Sequence, residues 1–195
     1  MTAASHEHRI VEELKGIVGL LVGIWLAFGI SQVADINQYG LQPRTSWGWT
    51  GIAISPFLHA DMPHITGNSL PLLVLLCLLA GSRANSGKVV VAIIVVGGGL
   101  HFLLGRHGNH IGASGLVFGL ISFLILSGIL ERRFLPLLVS IVTLVLYGST
   151  LMFGVLPTVG EHISWDGHLW SAVAGGLIAW RMARDSKSQA KLTKA

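Results

Sequence analysis

Apolar residues in this chain gather into long blocks, and charged residues mark where each block stops. A membrane-spanning helix needs roughly 20 mostly apolar residues, and six blocks are close to that length. They cover residues 16–34, 63–81, 88–104, 111–130, 134–153 and 167–183. The first, between Lys15 and Asp35, is long for the apolar region of a signal peptide. Gln32 is also a poor residue three positions before a cleavage, so the block is expected to stay as a helix. Between the first two blocks lies a polar and aromatic stretch, 35–61, with Pro43, Arg44, Trp47, Trp49 and Pro56. The pattern predicts an all-α, polytopic membrane protein with six transmembrane helices.

Composition removes the alternatives. Of the 195 residues, 52% are apolar and only 11% are charged, and the mean hydropathy is +0.69. A water-facing surface needs about a quarter of the residues charged, so a soluble fold is excluded. Disorder is excluded as well, because too much of the chain is apolar to remain solvated. The single Cys77 permits no intrachain disulfide.

The position of the charges sets the orientation. With the N-terminus cytoplasmic, eleven of the 13 basic residues fall inside: Arg9, Lys15, Arg83, Lys88, Arg132, Arg133, Arg181, Arg184, Lys187, Lys191 and Lys194. Only Arg44 and Arg106 fall outside. The net charge of +4 therefore reads as an orientation signal and a contact for membrane lipid headgroups, not as nucleic-acid binding. The expected organisation is a cytoplasmic segment over 1–15, a membrane domain over 16–183 and a basic cytoplasmic tail over 184–195. The tail from Asp185 onward reads as a solvated extension with no fold of its own.

The nine histidines equal all Asp and Glu together. His6 and His8 are cytoplasmic; the other seven lie in outer loops or the outer halves of helices. Ionisable groups at membrane depth are costly and point to function, whereas loop histidines are ordinarily solvated. His107, His110 and His162 are read as solvated, and His101 as a hydrogen-bonded packing residue. Helix openings on the outer side look different. The second block opens with His64 and Asn68, four apart and so on one helix face. The fourth opens Gly112-Ala113-Ser114-Gly115, and the sixth opens Asp166-Gly167-His168.

Serine is a weak nucleophile until a base takes its proton, and histidine is the usual base near neutral pH. Ser114 and His168 are therefore a candidate dyad across two helices. The Asn68 amide, the His64 imidazole and the Ser114 backbone N–H, free at a helix start, are candidate oxyanion donors. Small residues along the last helix (Ser171, Ala172, Gly175, Ala179) and the fourth (Gly115, Gly119, Ser122) allow close packing. Gly112 and Gly115 would let the backbone turn, and Phe118, one turn after Ser114, reads equally as a ring stacked beneath the imidazole or as a lipid- or core-facing aromatic. No acid completes a triad: Asp166 is two residues from His168, on another face, and is read as an N-cap or loop residue.

His59-x4-His64-x3-Asn68, then Gly112-Ala113-Ser114-Gly115, then His168 with Gly175 behind it, resembles the rhomboid family of intramembrane serine proteases. The stretch Gly40-Leu41-Gln42-Pro43-Arg44 is similar to the family's first loop. The resemblance implies a six-helix rhomboid-like bundle, with Ser114 as nucleophile and His168 as base, then acid. It implies that His64, Asn68 and the Ser114 N–H hold the oxyanion, and that His59 supports the first loop or the oxyanion residues. Phe118 stands where the family often has tyrosine. Ser171 stands where the usual His-x-x-Gly has glycine, which is expected to loosen the dyad slightly.

The substrates so implied are single-pass membrane proteins, cut in or near a transmembrane segment that unwinds easily, after a small residue. No metal or other cofactor is required, and the minimal six-helix form implies a bacterial plasma membrane. Two other readings stand beside it. One is an inactive relative that binds transmembrane clients. The other is a histidine-based metal transporter or metalloprotease, which the absence of HExxH spacing weakens.

Overall fold

The computed structural model describes residues 3–82, 86–159 and 163–192, so Arg83, His162 and Lys194 lie outside the described residues. So do the side chains of His6, His8, Arg9, Lys187 and Lys191. Among the described residues there are seven α-helices: α1 Ala3–Ser31, α2 Gly51–Ile54, α3 Met62–Ser82, α4 Ser86–Leu104, α5 Ser114–Glu131, α6 Phe134–Gly154 and α7 Trp165–Leu192. Five of them, α1, α3, α4, α5 and α6, are long and apolar enough to cross a membrane. The sixth predicted span lies within α7, which carries Asp166 and His168 at one end and a charged continuation at the other. It packs against α4 and α5 through small residues such as Ser171 and Ala174. A helix covered by protein needs less apolar surface than one facing lipid.

α5 sits at the centre, packed on α7, α6, α4 and α3. Its apolar span is 56% buried, against 17% for α1 and 22% for α6. The outward faces of α1 and α6, with Val18, Leu26, Leu138 and Val145 exposed, are surfaces for acyl chains rather than water. Ile65, Leu72, Leu75, Leu79, Leu120, Ile121, Phe123 and Leu124 fill the core between α3 and α5.

One sequence expectation is corrected. The tail has structure of its own: α7 continues to Leu192, supported by an Arg181–Asp185 pair four residues apart, a spacing that stabilises a helix. Likewise α1 begins at Ala3, well before the apolar block. In both places helical hydrogen bonding runs past the point where apolarity stops.

The polar stretch between α1 and α3 folds into short turns rather than open loop. It contains 3-10 turns at Ile36–Tyr39, Gly48–Thr50 and Ser55–Phe57 around α2. Leu41 and His110 exchange two backbone hydrogen bonds of 2.9 Å, tying this loop to the one before α5. Arg44, at φ 58°, turns its guanidinium onto the carbonyls of Leu103 and Gly105 at 3.2 and 2.7 Å. Those carbonyls lie at and just past the last turn of α4, where backbone acceptors lack helical partners and the helix dipole favours a cation.

Candidate active site

Ser114 is the first residue of α5 and His168 lies in the first turn of α7. His168 Nε2 and Ser114 Oγ are 2.9 Å apart. On the far side of the ring, Nδ1 is 2.9 Å from the Gly154 carbonyl. A carbonyl can only accept, so Nδ1 carries the proton and Nε2 presents its lone pair to the serine hydroxyl. Gly154 ends α6, where a carbonyl has no helical donor. It holds the tautomer that an acid holds in a triad, and sequence reasoning missed it. The usable signal was its place at the end of an apolar block.

Phe118 lies flat against the imidazole, with ring centroids 4.0 Å apart and an interplanar angle of 5°. Its edge is closed from behind by Gly154, where a Cβ would run into the phenyl ring. Gly175 crosses α5 at Gly119, and a Cβ there would overlap the Gly119 carbonyl. This crossing sets the distance between α5 and α7, and so the dyad. Ser171 does not open it. The side chain sits between Gly97 and Gly115, whose Cβ positions would each come within 3.0 Å of its hydroxyl.

The donors come from α3. Asp61 precedes that helix and accepts the His64 N–H at 2.8 Å, an N-cap contact to the third helical residue. His64 and Asn68 then face Gly112, where an added Cβ would lie 2.5 Å from His64 Nε2 and 3.4 Å from Asn68 Nδ2. Gly112 also has φ +115°, a conformation open to glycine. His59 is fully buried, and its Nε2 lies 3.1 Å from Asn68 Nδ2 and 3.4 Å from the Ala113 N–H. Both partners donate, so Nε2 is the acceptor and the opposite Nδ1–H points to the Phe57 carbonyl at 3.4 Å. Burial and the neighbouring His64 hold the His59 pKa down at about 4, so the ring is neutral. It orients the Asn68 amide, and its own carbonyl accepts from Asn37 of the first loop.

An open cleft of about 650 Å³ runs past His64, Asn68, Ser114 and His168. A smaller cavity of about 50 Å³ behind them reaches Ser114, His168 and Ser171, space for a few waters. Together these groups offer a nucleophile with its base, polar donors along the same cleft, and water access.

Two residues read as peripheral, Asp166 and His110, are not. Asp166 is no cap or loop residue: it lies inside α7, 2% exposed, accepting the Arg106 N–H at 2.6 Å. His110 is half-buried rather than solvated, 2.7 Å from the Ser164 hydroxyl, and burial lowers its pKa. His101 is buried as a packing residue, with its Nε2 3.5 Å from an Asp166 carboxylate oxygen and outside hydrogen-bond geometry. His107 is exposed, as expected.

A family model described as the Rhomboid domain matches residues 46–185. Uncharacterized proteins of Mycobacterium bovis and Mycobacterium tuberculosis are each 35% identical over 170 residues, spanning 83% of this chain and 70% of the relative. One from Mycobacterium leprae is 35% identical over 203 aligned positions, spanning 96% of this chain and 80% of its own length. No solved structure matches the chain significantly. Matched in this way over most of its length, and built around five apolar helices of membrane-spanning length, the chain is a multi-pass membrane protein that belongs to the rhomboid family.

Proposed function

We propose that this protein is an intramembrane serine endopeptidase that cleaves single-pass membrane proteins with a Ser114–His168 dyad. The observation that carries the reading is the 2.9 Å Ser114–His168 contact with the imidazole tautomer held by Gly154. As the Ser114 oxygen bonds to the scissile carbonyl carbon, its proton passes to His168 Nε2. Asn68, His64 and the Ser114 N–H stabilise the oxyanion. Collapse breaks the C–N bond, and His168 returns the proton to the leaving amine. Water then attacks the acyl carbon as its proton passes to His168, and collapse breaks the ester C–O bond, with His168 returning that proton to the Ser114 oxygen as the acid leaves.

A helical peptide keeps its carbonyls hydrogen-bonded and turned away from Ser114. Substrates are therefore transmembrane segments that unwind readily, and the likeness to rhomboid proteases implies a small residue before the cut. The bias of basic residues supports cytoplasmic termini, and the mycobacterial relatives support a bacterial plasma membrane.

The test is cleavage of a single-pass substrate in liposomes, with fluorophosphonate labelling of the wild-type protein. Ser114→Ala and His168→Ala are each expected to abolish cleavage, and labelling is expected to map to Ser114. Equal cleavage by Ser114→Ala overturns the mechanism. Absence of both labelling and cleavage in folded wild-type protein assigns the chain to client binding instead.

A further inference from the structure

Beside the dyad, but outside its chemistry, three elements meet at a cluster with no place in the mechanism. His101 comes from the end of α4, His110 from the loop before α5 and Asp166 from the start of α7. One ligand atom from each lies within 4.8 Å of the others. We propose that these residues form a site for a transition-metal dication of the zinc class, clipping α4 and the following loop to α7.

The first observation is the state of His101. Its Nε2 is buried without a hydrogen-bond partner, 3.5 Å from an Asp166 carboxylate oxygen whose side chain is 3% exposed. A bare lone pair facing a carboxylate is repulsive, and an N–H at that distance makes at best a poor hydrogen bond. A cation between the two satisfies both. The 3.5 Å separation is also close to the edge of a zinc tetrahedron, about 3.4 Å for bonds near 2.1 Å. The ring is boxed in by glycines. A Cβ at Gly167 would come within 2.7 Å of His101 Cε1, and one at Gly105 within 2.8 Å of Nε2.

The second observation is the state of His110. Its Nε2 lies 3.0 Å from the Arg106 carbonyl, to which it must donate, leaving the Nδ1 lone pair lent to the Ser164 hydroxyl at 2.7 Å. Histidine ligands characteristically donate their other N–H to such a carbonyl, which fixes the tautomer. His110 and Ser164 also line the open cleft, which gives an ion an entry path and a water for the fourth position. Two imidazoles, one carboxylate and an open position suit zinc or cobalt better than magnesium or calcium.

Arg106 is the competitor. Its guanidinium is 3.3 Å from Asp166, with the arginine side chain 45% exposed. It occupies the carboxylate as a surface-held countercharge that a bound dication would displace. This gives the proposal a signature that structural damage does not imitate.

The experiment is cobalt(II) titration of the detergent-solubilised full chain, followed by zinc displacement, on wild-type and Ser114→Ala proteins alike. Expected are one equivalent of cobalt with the visible bands of tetrahedral coordination, lost on adding zinc, and independent of Ser114. His101→Gln and His110→Gln should each weaken binding about tenfold or more, while Arg106→Gln should tighten it. Because tightening cannot come from misfolding, Arg106→Gln decides the matter even if a histidine variant folds poorly. Absence of saturable binding to the wild type overturns the proposal. So does binding that none of the three substitutions changes, which would place the metal on other histidines.

Discussion

Gly175→Ala probes the claim that the α5–α7 crossing sets the reacting distance. In the structure an added Cβ would lie 2.9 Å from the Gly119 carbonyl carbon and 3.1 Å from its Cα, with the oxygen nearer still, where ordinary contact begins at 3.4 Å. All three are backbone atoms, so no side chain can rotate away, and the helices must part by about 1.4 Å to bring the oxygen out to ordinary contact. The dyad spans 2.9 Å. If only half of that movement reaches it, the separation approaches about 3.6 Å, beyond a useful hydrogen bond. The expected result is a fall in kcat of roughly 100-fold and a stability loss of about 1–3 kcal/mol from overpacking. Gly115→Ala is the control. It lies next to the nucleophile, yet its Cβ would meet first the Ser171 hydroxyl at 3.0 Å, which can turn aside. Substrate turnover in liposomes, fluorophosphonate labelling rate and thermal unfolding read both variants. Wild-type rates in Gly175→Ala, or greater damage in Gly115→Ala, would refute the packing argument.

Other consequences follow from the same geometry. His59 is held at a pKa of about 4 in the fold against an ordinary 6.5. Above pH 6.5 it therefore adds no pH dependence. As pH falls towards 4 the unfolded chain binds a proton that the folded one refuses, and stability drops by up to about 1.4 kcal/mol per pH unit. Thermal unfolding between pH 7 and 4.5 should slope more steeply for wild type than for His59→Gln; parallel slopes would remove His59 as the cause. Phe118→Ala loses a stack worth about 0.5–1.5 kcal/mol, so kcat should fall roughly 2- to 10-fold with KM steady, while Phe118→Tyr stays near wild type. An effect on KM alone would contradict the imidazole role. Asn68→Ala should lower kcat roughly 100- to 1000-fold, the usual cost of one oxyanion donor; a loss below threefold in single-turnover cleavage would assign the oxyanion to other groups.

Much of this was written along the chain. Long apolar blocks between charges determine five membrane-length helices on their own, because a bilayer selects for length and apolarity residue by residue. The position of Ser114 at a helix opening, and the shared face of His64 and Asn68, are likewise local properties, legible from spacing. α7 was legible as a span but not in extent, since its polar continuation to Leu192 depends on helical propagation and side-chain pairing rather than apolarity.

What only the tertiary structure decided are the contacts between polar groups far apart in sequence. The Gly154 carbonyl on His168, His59 behind Asn68, Arg44 over the end of α4, and the cluster of His101, His110 and Asp166 each join separate elements. No periodicity reports such pairs, because the residues have no common helix face until the bundle closes. Asp166 shows the difference most clearly. Alone it is one acid near a helix start, and in the fold it is a buried carboxylate between two histidines and an arginine. The sequence determined which polar residues gather at one end of the bundle; packing of α5 against α7 determined which of them touch.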